Sequence, residues 1–464
     1  MPIPAGIAAG HPATAAAGLE MLEDGGTAAD AAVAAGLAAC VAETVTTGIA
    51  GGGHAIWYDG AEERALLLDF FVAVPGLGET PAQVELVDIA VPFGAELIHY
   101  AVGIGSCAVP GVPAGLDELW RRHGRLPWER LCAPALALAR AGVAMPPAHA
   151  ACLAMLSPVM TMREGARIYS PGGRLLEAGD RLEQPGLARA LELVAEEGAR
   201  TFYEGTIADT MLALMAERGG LVTREDLRAY AVAWSEPVAA AYAGVTIFTR
   251  GGLSRLAETL AALPLLRGLD PGERAVLLAR LLEALPYSGR PDTTNLVTAD
   301  AEGNACVMTT SLGLGSGDYL PGLDVHLNSM LGEADLLVEA LDPGARMESM
   351  MAPTVGLDDA GLTLAAGAAG GTRLRPALVQ VLAGILDEGL EPQSAVDRPR
   401  LHSTGKLVHL EPGFDGSVIG ALAAAGYEVR RWSALHHYFG GVSLIARSGG
   451  AADPRRSGAA LTTG

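Results

Sequence analysis

Two adjacent threonines, Thr293 and Thr294, follow a proline-marked break and begin a strand-like segment. If the Asp292–Thr293 peptide bond is cut, Thr293 carries a free α-amine beside its own hydroxyl. That amine has a pKa of about 8, so near neutrality it can accept the proton of the hydroxyl and make it a nucleophile. Taken alone, the pattern is also typical of an ordinary hairpin with β-branched residues on a pleated surface.

A second chemical feature is the glycine pair Gly370-Gly371. Leu362 to Ala366 reads as a strand, and a helix is predicted to begin near Thr372. The glycines therefore fall in a strand-to-helix turn, where unpaired N–H groups and the helix dipole favour negative charge. The alternative is a plain tight turn, but Ala368 to Gly371 is longer than such a turn needs.

The elements that must position these residues can be read from the sequence. Leu296 to Asp300 and Ala305 to Leu312 predict a β-hairpin around the turn at residues 302–304. Further strands are predicted at Ala55 to Tyr58, Leu66 to Phe71 and Val245 to Thr249. Helical segments are predicted at Ala13 to Met21, Ala28 to Ala42, Leu116 to Gly142, Leu187 to Leu221 and Leu253 to Ala284.

Length and charge limit the class of protein. A chain of 464 residues can bury a large core and by length alone suggests two or three domains. Its net charge of −21 argues against binding to nucleic acid or to an anionic membrane surface. The longest apolar run, Ala31 to Ala42, is too short to span a bilayer. The first ten residues lack a basic n-region, so we expect no signal peptide and a cytoplasmic protein.

The five cysteines are an odd number and contain no Cys-x-x-Cys pair. Cys40, Cys132 and Cys152 lie in apolar helical text and are predicted to be buried small hydrophobic residues. The glycines at 51–53 and 313–317 lack the strand, helix and downstream acid of a nucleotide-binding loop. His54 and the His436-His437 pair lack metal-ligand spacing, so structural roles are expected and no metal or cofactor is predicted.

Five blocks of this sequence occur in one order that resembles the gamma-glutamyltranspeptidase family. They are HPATAAAGLEMLEDGGTAADAAVAA from His11, TGIAGGGHAIWYDG from Thr47, VPGVPAGLDELWRRHGRLPWERLCAPALALARAG from Val109, TTNLVTADAEGNACVMTTSLGLGSG from Thr293 and MAPTVGLDDAGLTLAAGAAGGTRLRPALVQ from Met351. The resemblance covers nearly the whole chain. It implies an α+β fold of four αββα layers, the N-terminal-nucleophile hydrolase fold, formed jointly by a large segment 1–292 and a small segment 293–464.

The resemblance also implies roles for particular residues. Thr293 corresponds to the nucleophile, which first attacks the carbonyl of Asp292 and later a substrate amide. Ser311 corresponds to a hydroxyl that orients the nucleophile, although an exposed strand serine is an equal alternative. Gly370 and Gly371 correspond to the paired glycines whose N–H groups face the oxyanion. The implied partners are a small-molecule substrate and the other processed segment, and a homodimer is allowed.

Departures from the family pattern indicate a changed substrate. Phe71 stands where family members that use glutathione carry an arginine for the substrate α-carboxylate. The positions that hold the α-amine are Gly313, Met330 and Glu333, of which only the last is charged. Of two carboxylate-binding serines, Ser349 is present and Met350 replaces the other. A glutamyl group would leave its carboxylate unpaired, which costs several kcal/mol.

Three functional interpretations stay open at this stage. The first is a processed hydrolase that cleaves an amide of a non-glutamyl small molecule with an apolar acyl group, whose anion would bind Arg346 or Arg373. The second uses the same nucleophile to cleave a C–C bond next to a carbonyl, as some family members in actinobacterial secondary metabolism do. The third is an unprocessed paralogue without catalysis, and a true glutamyl hydrolase or transferase is a further alternative.

Overall fold

Two β-sheets lie at the centre of the computed structural model, which describes residues 2–93, 96–284, 293–337 and 341–463. Its strands are β1 (Gly6–Ala9), β2 (Gly52–Asp59), β3 (Arg64–Phe70), β4 (Val87–Phe93), β5 (Glu96–Val102), β6 (Val143–Ala144), β7 (Arg181–Leu182), β8 (Ala233–Ser235), β9 (Val238–Tyr242), β10 (Val245–Thr249), β11 (Thr294–Ala299), β12 (Ala305–Ser311), β13 (Tyr319–Leu320), β14 (Val325–His326), β15 (Thr354–Asp358), β16 (Gly361–Ala369), β17 (Leu401–Thr404), β18 (Leu407–Leu410), β19 (Glu428–Arg431), β20 (Gly441–Ala446), β21 (Gly449–Ala452) and β22 (Ala459–Thr462).

Helices are interspersed with these strands in chain order. They are α1 (Pro12–Glu23), α2 (Ala28–Ala42), α3 (Val112–His123), α4 (Trp128–Ala141), α5 (Pro147–Met160), α6 (Gly165–Tyr169), α7 (Pro185–Glu197), α8 (Thr206–Arg218), α9 (Arg224–Ala229), α10 (Leu256–Ala262), α11 (Pro271–Ala284), α12 (Leu374–Leu386), α13 (Pro392–Asp397) and α14 (Gly416–Ala424). Among the described residues, no helix has both the length and the hydropathy needed to cross a bilayer.

The first sheet has the strand order β22-β1-β11-β12-β2-β3-β8, and the second has the order β21-β20-β16-β15-β10-β9. Neighbouring strands within both sheets are antiparallel. The predicted hairpin is present as β11 and β12, with Thr294 opposite Thr310 and Ala299 opposite Ala305. Thr293 therefore lies directly before the first residue of a central strand.

Side chains of the β11–β12 hairpin alternate between the two faces of the first sheet, as the pleat requires. Leu296 and Met308 belong to the apolar core shared with α1, α2 and α3. Val297 and Val307 pack on the opposite face with side chains of β15, β16 and β20 in the second sheet. The two sheets therefore contact each other through their apolar faces, while helices cover the other face of the first sheet.

Two helices are relevant to the candidate site, α2 on the first sheet and α12 on the second. Every residue of α2 is buried, and its alanines allow close packing on the first sheet. The helix begins with a capping box in which Thr27 and Asp30 satisfy each other's backbone N–H groups. Helix α12 packs on the second sheet, in the apolar core that includes β16 and β20.

The sequence placed most of these elements correctly. Strand β10 and helix α2 have the predicted bounds, and the predicted mixture of helices and antiparallel sheets is confirmed. The three long helical predictions are each divided in two. Gly124 and Pro127 separate α3 from α4, Gly198 has a positive φ of 75° between α7 and α8, and residues 263–270 separate α10 from α11. All five cysteines are buried and free, as predicted for three of them.

Candidate active site

Thr293 lies at the entrance to β11 with only 3% of its surface exposed. Its hydroxyl oxygen accepts a hydrogen bond from the backbone N–H of Gly370 at 2.9 Å. The nucleophile candidate and the glycine pair were predicted from separate parts of the sequence, and the fold brings them into direct contact. Asp292, the other residue of the predicted cleavage site, lies outside the described residues.

The glycine pair forms the predicted link between a strand and a helix. Gly370 follows β16, and the 3-10 turn Gly371–Arg373 leads into α12. Gly370 has a φ of 122° and Gly371 a φ of 55°, so both occupy backbone regions that favour glycine. A Cβ atom on Gly370 would lie 2.8 Å from the Cα atom of Gly440, which is closer than real contacts. Glycine is therefore required here by both backbone angle and space.

One small cavity joins Thr293 to most of the predicted substrate positions. We call it the apolar pocket; its volume is about 10 Å³, and it is lined by Phe71, Thr293, Ser311, Met330, Leu336, Ser349, Met350, Met351, Gly371 and Leu374. Ser311 is fully buried, rather than exposed, and its Oγ accepts a hydrogen bond from the N–H of Gly313 at 2.9 Å. The hydroxyls of Thr293 and Ser311 therefore border a cavity whose walls are mostly apolar.

Three hydrogen bonds hold the backbone of Phe71 in place. Its N–H donates to Asp69 Oδ1 at 2.8 Å, and its carbonyl accepts from the Tyr230 hydroxyl at 2.7 Å and from Arg346 Nη1 at 2.6 Å. The guanidinium of Arg346 also lies over the Tyr230 ring. Arg346 is therefore used to fix Phe71, and its predicted role as an anion ligand is not supported by this geometry.

Behind Phe71 lies His54, whose ring stacks on the phenyl ring with centroids 5.5 Å apart. His54 is fully buried, and burial lowers its pKa well below the usual value, with Arg250 and Arg346 adding to the effect. A neutral histidine in this place extends the apolar wall. This agrees with the structural role expected for His54.

Three predicted substrate positions, Gly313, Glu333 and Arg373, lie outside the lining of the apolar pocket. Glu333 is 2% exposed, and a Cβ atom on Gly313 would collide with its Oε1 atom, so glycine at 313 makes room for this carboxylate. Arg373 is buried as well; its Nε donates to the carbonyl of Tyr438 at 3.1 Å, and its guanidinium lies over the Tyr438 ring. The described part of the chain contains no group of three His, Cys, Asp or Glu side chains arranged to hold a metal ion.

Sequence reasoning missed a second cavity on Thr293, which we call the polar cavity. It is lined by Gly10, Glu43, Thr46, His149, Thr293, Thr294, Asn295, Ala369, Gly441, Ser443, Asp453 and Arg456. The hydroxyl of Thr294 donates a short hydrogen bond to Glu43 Oε2, and the hydroxyl of Thr14 donates to Oε1 at 2.6 Å. The available signal was a single acid directly after the apolar run of α2.

Comparisons with known proteins identify the family of this chain. The family model described as Gamma-glutamyltranspeptidase matches residues 14–288 and 284–463. The Acylase ACY 1 proenzyme of Pseudomonas sp. (strain V22) is 29% identical, over 95% of this chain and 89% of that protein. The Glutathione hydrolase proenzyme of Bacillus subtilis (strain 168) is 26% identical, over 98% of this chain and 91% of that protein.

A solved structure shows the same fold. The crystal structure of cephalosporin acylase from Bacillus halodurans superposes with a TM-score of 0.85 and covers 100% of this chain and 97% of that chain, at 24% identity. At this level of identity the similarity concerns the fold. The substrate preference has to be argued from the side chains around Thr293.

Proposed function

Because this chain belongs to the gamma-glutamyltranspeptidase family, we propose that it is an N-terminal-nucleophile hydrolase that cleaves an amide of a non-glutamyl small molecule. The proposal includes the four-layer αββα arrangement, with helices on the outer face of each of the two stacked sheets. It also includes division of the chain into segments 1–292 and 293–464. The word proenzyme in the names of two relatives supports processing.

The observation that carries the proposal is the 2.9 Å hydrogen bond from Gly370 N–H to Thr293 Oγ1 at the edge of the apolar pocket. During attack the negative charge develops on the carbonyl oxygen of the acyl group, and a backbone donor this close to the attacking oxygen is in place to stabilise it. Gly371, the next residue, lines the apolar pocket with Thr293, and we assign its N–H the role of the second donor. Loss of one such donor usually costs about 3 kcal/mol in the barrier.

Processing would begin with attack of Thr293 Oγ on the carbonyl carbon of Asp292. The C–N bond breaks, the nitrogen keeps its proton and gains the proton of the hydroxyl, and an ester joins the two segments. Water then hydrolyses this ester, which leaves a carboxylate on Asp292 and both a hydroxyl and an α-amine on Thr293. The amine is the general base for the next reaction.

In catalysis the α-amine takes the proton of the hydroxyl while the oxygen attacks the substrate carbonyl. The tetrahedral intermediate collapses to an ester on Thr293, and the leaving amine takes up the proton. Water hydrolyses the ester, releases the carboxylic acid and restores the hydroxyl. Ser311 lines the pocket beside the attacking oxygen, and we assign it the orientation of Thr293.

The substrate class follows from the walls of the apolar pocket. Phe71, Met330 and Met350 occupy three positions where the family pattern places polar contacts to a glutamyl group, so the acyl group is expected to be apolar or aromatic. The pocket is small with these rotamers, but methionine side chains readily adopt other ones and can open space for an acyl chain. The name of the acylase relative from Pseudomonas supports an acyl group other than glutamyl.

A glutamyl substrate is the second candidate, favoured by the glutathione hydrolase relatives and by the buried Glu333 carboxylate beside Gly313. The two candidates differ in rate with two anilides, gamma-glutamyl 4-nitroanilide and phenylacetyl 4-nitroanilide. We expect the second to react faster. A kcat/KM of about 10⁴ M⁻¹s⁻¹ or more with the glutamyl anilide would instead support the second candidate.

Phe71→Arg tests the same point from the protein side. The new cation would enter a region that already contains Arg346 and Arg250, and its intended partners would still be absent. We therefore expect only a modest gain with the glutamyl anilide. Phe71→Leu is the control for loss of the aromatic ring alone.

The nucleophile itself is tested by intact mass and by sequencing of the new N-terminus. Wild-type protein should resolve into two segments, of which the smaller begins at Thr293. Thr293→Ala should stay whole and inactive, whereas Thr293→Ser, which keeps a hydroxyl, should still be cut. Processing of the alanine variant at this junction would overturn the assignment.

A further inference from the structure

The polar cavity places a buried carboxylate close to the nucleophile without an assigned role. Glu43 is 2% exposed, and both of its oxygens accept hydrogen bonds from threonine hydroxyls, Thr14 on one side and Thr294 on the other. Thr294 is the residue that follows the nucleophile. Gly10 allows this approach, because a Cβ atom there would lie 2.6 Å from Glu43 Oε2 and 3.0 Å from Thr294 Oγ1.

The position of Glu43 is unfavourable for the helix that carries it. Glu43 is the C-cap of α2, where the helix dipole disfavours a negative charge. Its backbone N–H is already satisfied by the carbonyl of Ala39, so capping does not require the carboxylate. Burial raises the pKa of Glu43, and the two threonine hydrogen bonds and the charge of Arg456 act against this rise. Local rules are often broken in this way at functional sites.

Other ionisable groups face Glu43 from the elements around it. Arg456 and Asp453 come from the turn before β22, His149 from α5 and Cys40 from α2. Arg456 also lies near the glycine pair, since a Cβ atom on Gly370 would be 3.2 Å from its Nη2 atom. Glu43 and Arg456 therefore line the same cavity as Thr293, and the guanidinium of Arg456 reaches the glycine pair Gly370-Gly371.

We propose that Glu43 is a positioning residue, which through Thr294 fixes the start of β11 and through its charge favours the ammonium form of the α-amine that Thr293 gains on processing. This inference rests on the proposed function. The hydrogen bond from Thr294 to Glu43 restrains the residue next to the nucleophile. Because processing makes Thr293 the end of a chain, this restraint limits its motion. The ionised carboxylate adds a negative charge to the cavity that Thr293 and Asp453 also line. The hydrogen bonds from Thr14 and Thr294 and the charge of Arg456 favour this ionised form against the effect of burial.

The charge of Glu43 has a consequence for the pH dependence of the enzyme. The α-amine accepts a proton only in its neutral form, so activity is lost as the pH falls through the pKa of the amine. An anion nearby stabilises the ammonium and raises that pKa. Removal of the anion should therefore move the acidic side of the pH profile to lower pH, by about one unit.

The experiment compares Glu43→Gln with wild type and with Glu197→Gln. Glu197 is a matched control, because its carboxylate also accepts hydrogen bonds from two threonine hydroxyls, those of Thr201 and Thr206, at the end of a helix. Processing is followed by intact mass, and acylation of processed protein by release of nitrophenolate from 4-nitrophenyl phenylacetate between pH 5 and 10. We expect a shifted profile in Glu43→Gln and an unchanged one in Glu197→Gln.

Each outcome decides the proposal. A folded Glu43→Gln protein that stays whole while Glu197→Gln is cut supports the positioning role, whereas equal processing and superimposable pH profiles overturn it. If Glu43→Gln does not fold, Thr294→Val removes only the hydrogen bond between the start of β11 and Glu43. We expect at least a tenfold loss in the rate of processing or acylation in this variant. Wild-type rates would overturn the proposal. Failure of wild type to split or to react with the ester would instead overturn the proposed function itself.

Discussion

Gly370 is the residue whose backbone contact bears most directly on Thr293. Its N–H binds the hydroxyl oxygen, and its positive φ and its contact with Gly440 leave no room for a side chain. The effect of a substitution here has two parts, backbone strain and displacement of the donor. A suitable control separates them.

We predict that Gly370→Ala lowers the rate of acylation by 4-nitrophenyl phenylacetate roughly a hundredfold, because one aligned donor is displaced. Gly389→Ala is the control: Gly389 has a φ of 71°, but a Cβ atom there meets nothing within 4 Å. Gly389→Ala should lose about 1 kcal/mol of unfolding free energy from the strained backbone. Gly370→Ala should lose more, because its Cβ atom also collides with Gly440. Equal rates in the two variants would argue against the assigned donor.

At the level of elements, α3 and β3 form the support behind the apolar pocket. Phe70 of β3 packs against the backbone of α3 at Gly115, and the next residue, Phe71, forms the pocket wall. A Cβ atom on Gly115 would collide with the Phe70 ring. The orientation of Phe71 therefore depends on a helix position at which only glycine fits.

We predict opposite stability changes for two helical glycines. Gly115→Ala should lower the free energy of unfolding by about 1–3 kcal/mol because it overpacks a rigid ring. Gly420→Ala in α14 should raise it by about 0.5–1 kcal/mol, since that position is exposed and meets nothing within 4 Å. Chemical denaturation measures both. A stabilised Gly115→Ala would show that Phe70 can move freely.

On the scale of the whole molecule, the two predicted segments are interleaved. In the first sheet, β1 and β2 come from residues before Thr293, whereas β11 and β12 between them come from the residues after it. The β11–β12 hairpin is thus hydrogen-bonded along its two outer edges to strands of the other segment, β11 to β1 and β12 to β2. A cut before Thr293 removes one peptide bond and none of these pairings.

We therefore expect the processed segments to stay together in native buffer. They should elute as one species in size-exclusion chromatography and separate only in denaturant, because neither segment can complete the first sheet alone. The uncut Thr293→Ala protein provides the reference elution volume. Elution of a separate small segment from native protein would contradict the strand order.

Buried histidines make the stability of the molecule sensitive to acid. Burial lowers the pKa of His326 to about 3, and its ring accepts a hydrogen bond from Gly317 N–H at 2.9 Å. The unfolded chain takes up this proton at a pKa of about 6.5, so the free energy of unfolding falls as the pH drops from there towards 3. The slope for one such group is at most about 1.4 kcal/mol per pH unit.

We predict that His326→Gln reduces this acid-induced loss of stability, measured by denaturation at pH 7, 5 and 4. Glutamine can still accept a hydrogen bond but does not take up a proton in this range. His99→Gln, at an exposed histidine that contacts Asp88, is the control for loss of an imidazole at the surface. An unchanged slope in His326→Gln would show that the ring is protonated in the folded protein.

Much of this protein could be predicted from local patterns. The hairpin after Thr293, the strand and helix around Gly370-Gly371, and the alanine-rich α2 each depend on neighbours in the chain. Phe71, Met330 and Met350 were predicted to lie near Thr293 through the resemblance to the family, and they do line one pocket with it. The breaks between the divided helices were not predicted, because glycine and proline also occur inside helices, as Pro134 does in α4.

Only the tertiary structure decided which distant side chains meet. Glu43 and Thr294 are 251 positions apart, and Arg346 reaches the carbonyl of Phe71 across 275 positions. Nothing in the local sequence distinguishes Glu43 and Arg346 from solvated surface charges, because their burial and pairing arise only when the helices and strands pack. The sequence by itself determined the candidate nucleophile, the glycine turn and the resemblance to the family. Packing decided the charges around Thr293 and how Phe71 is held.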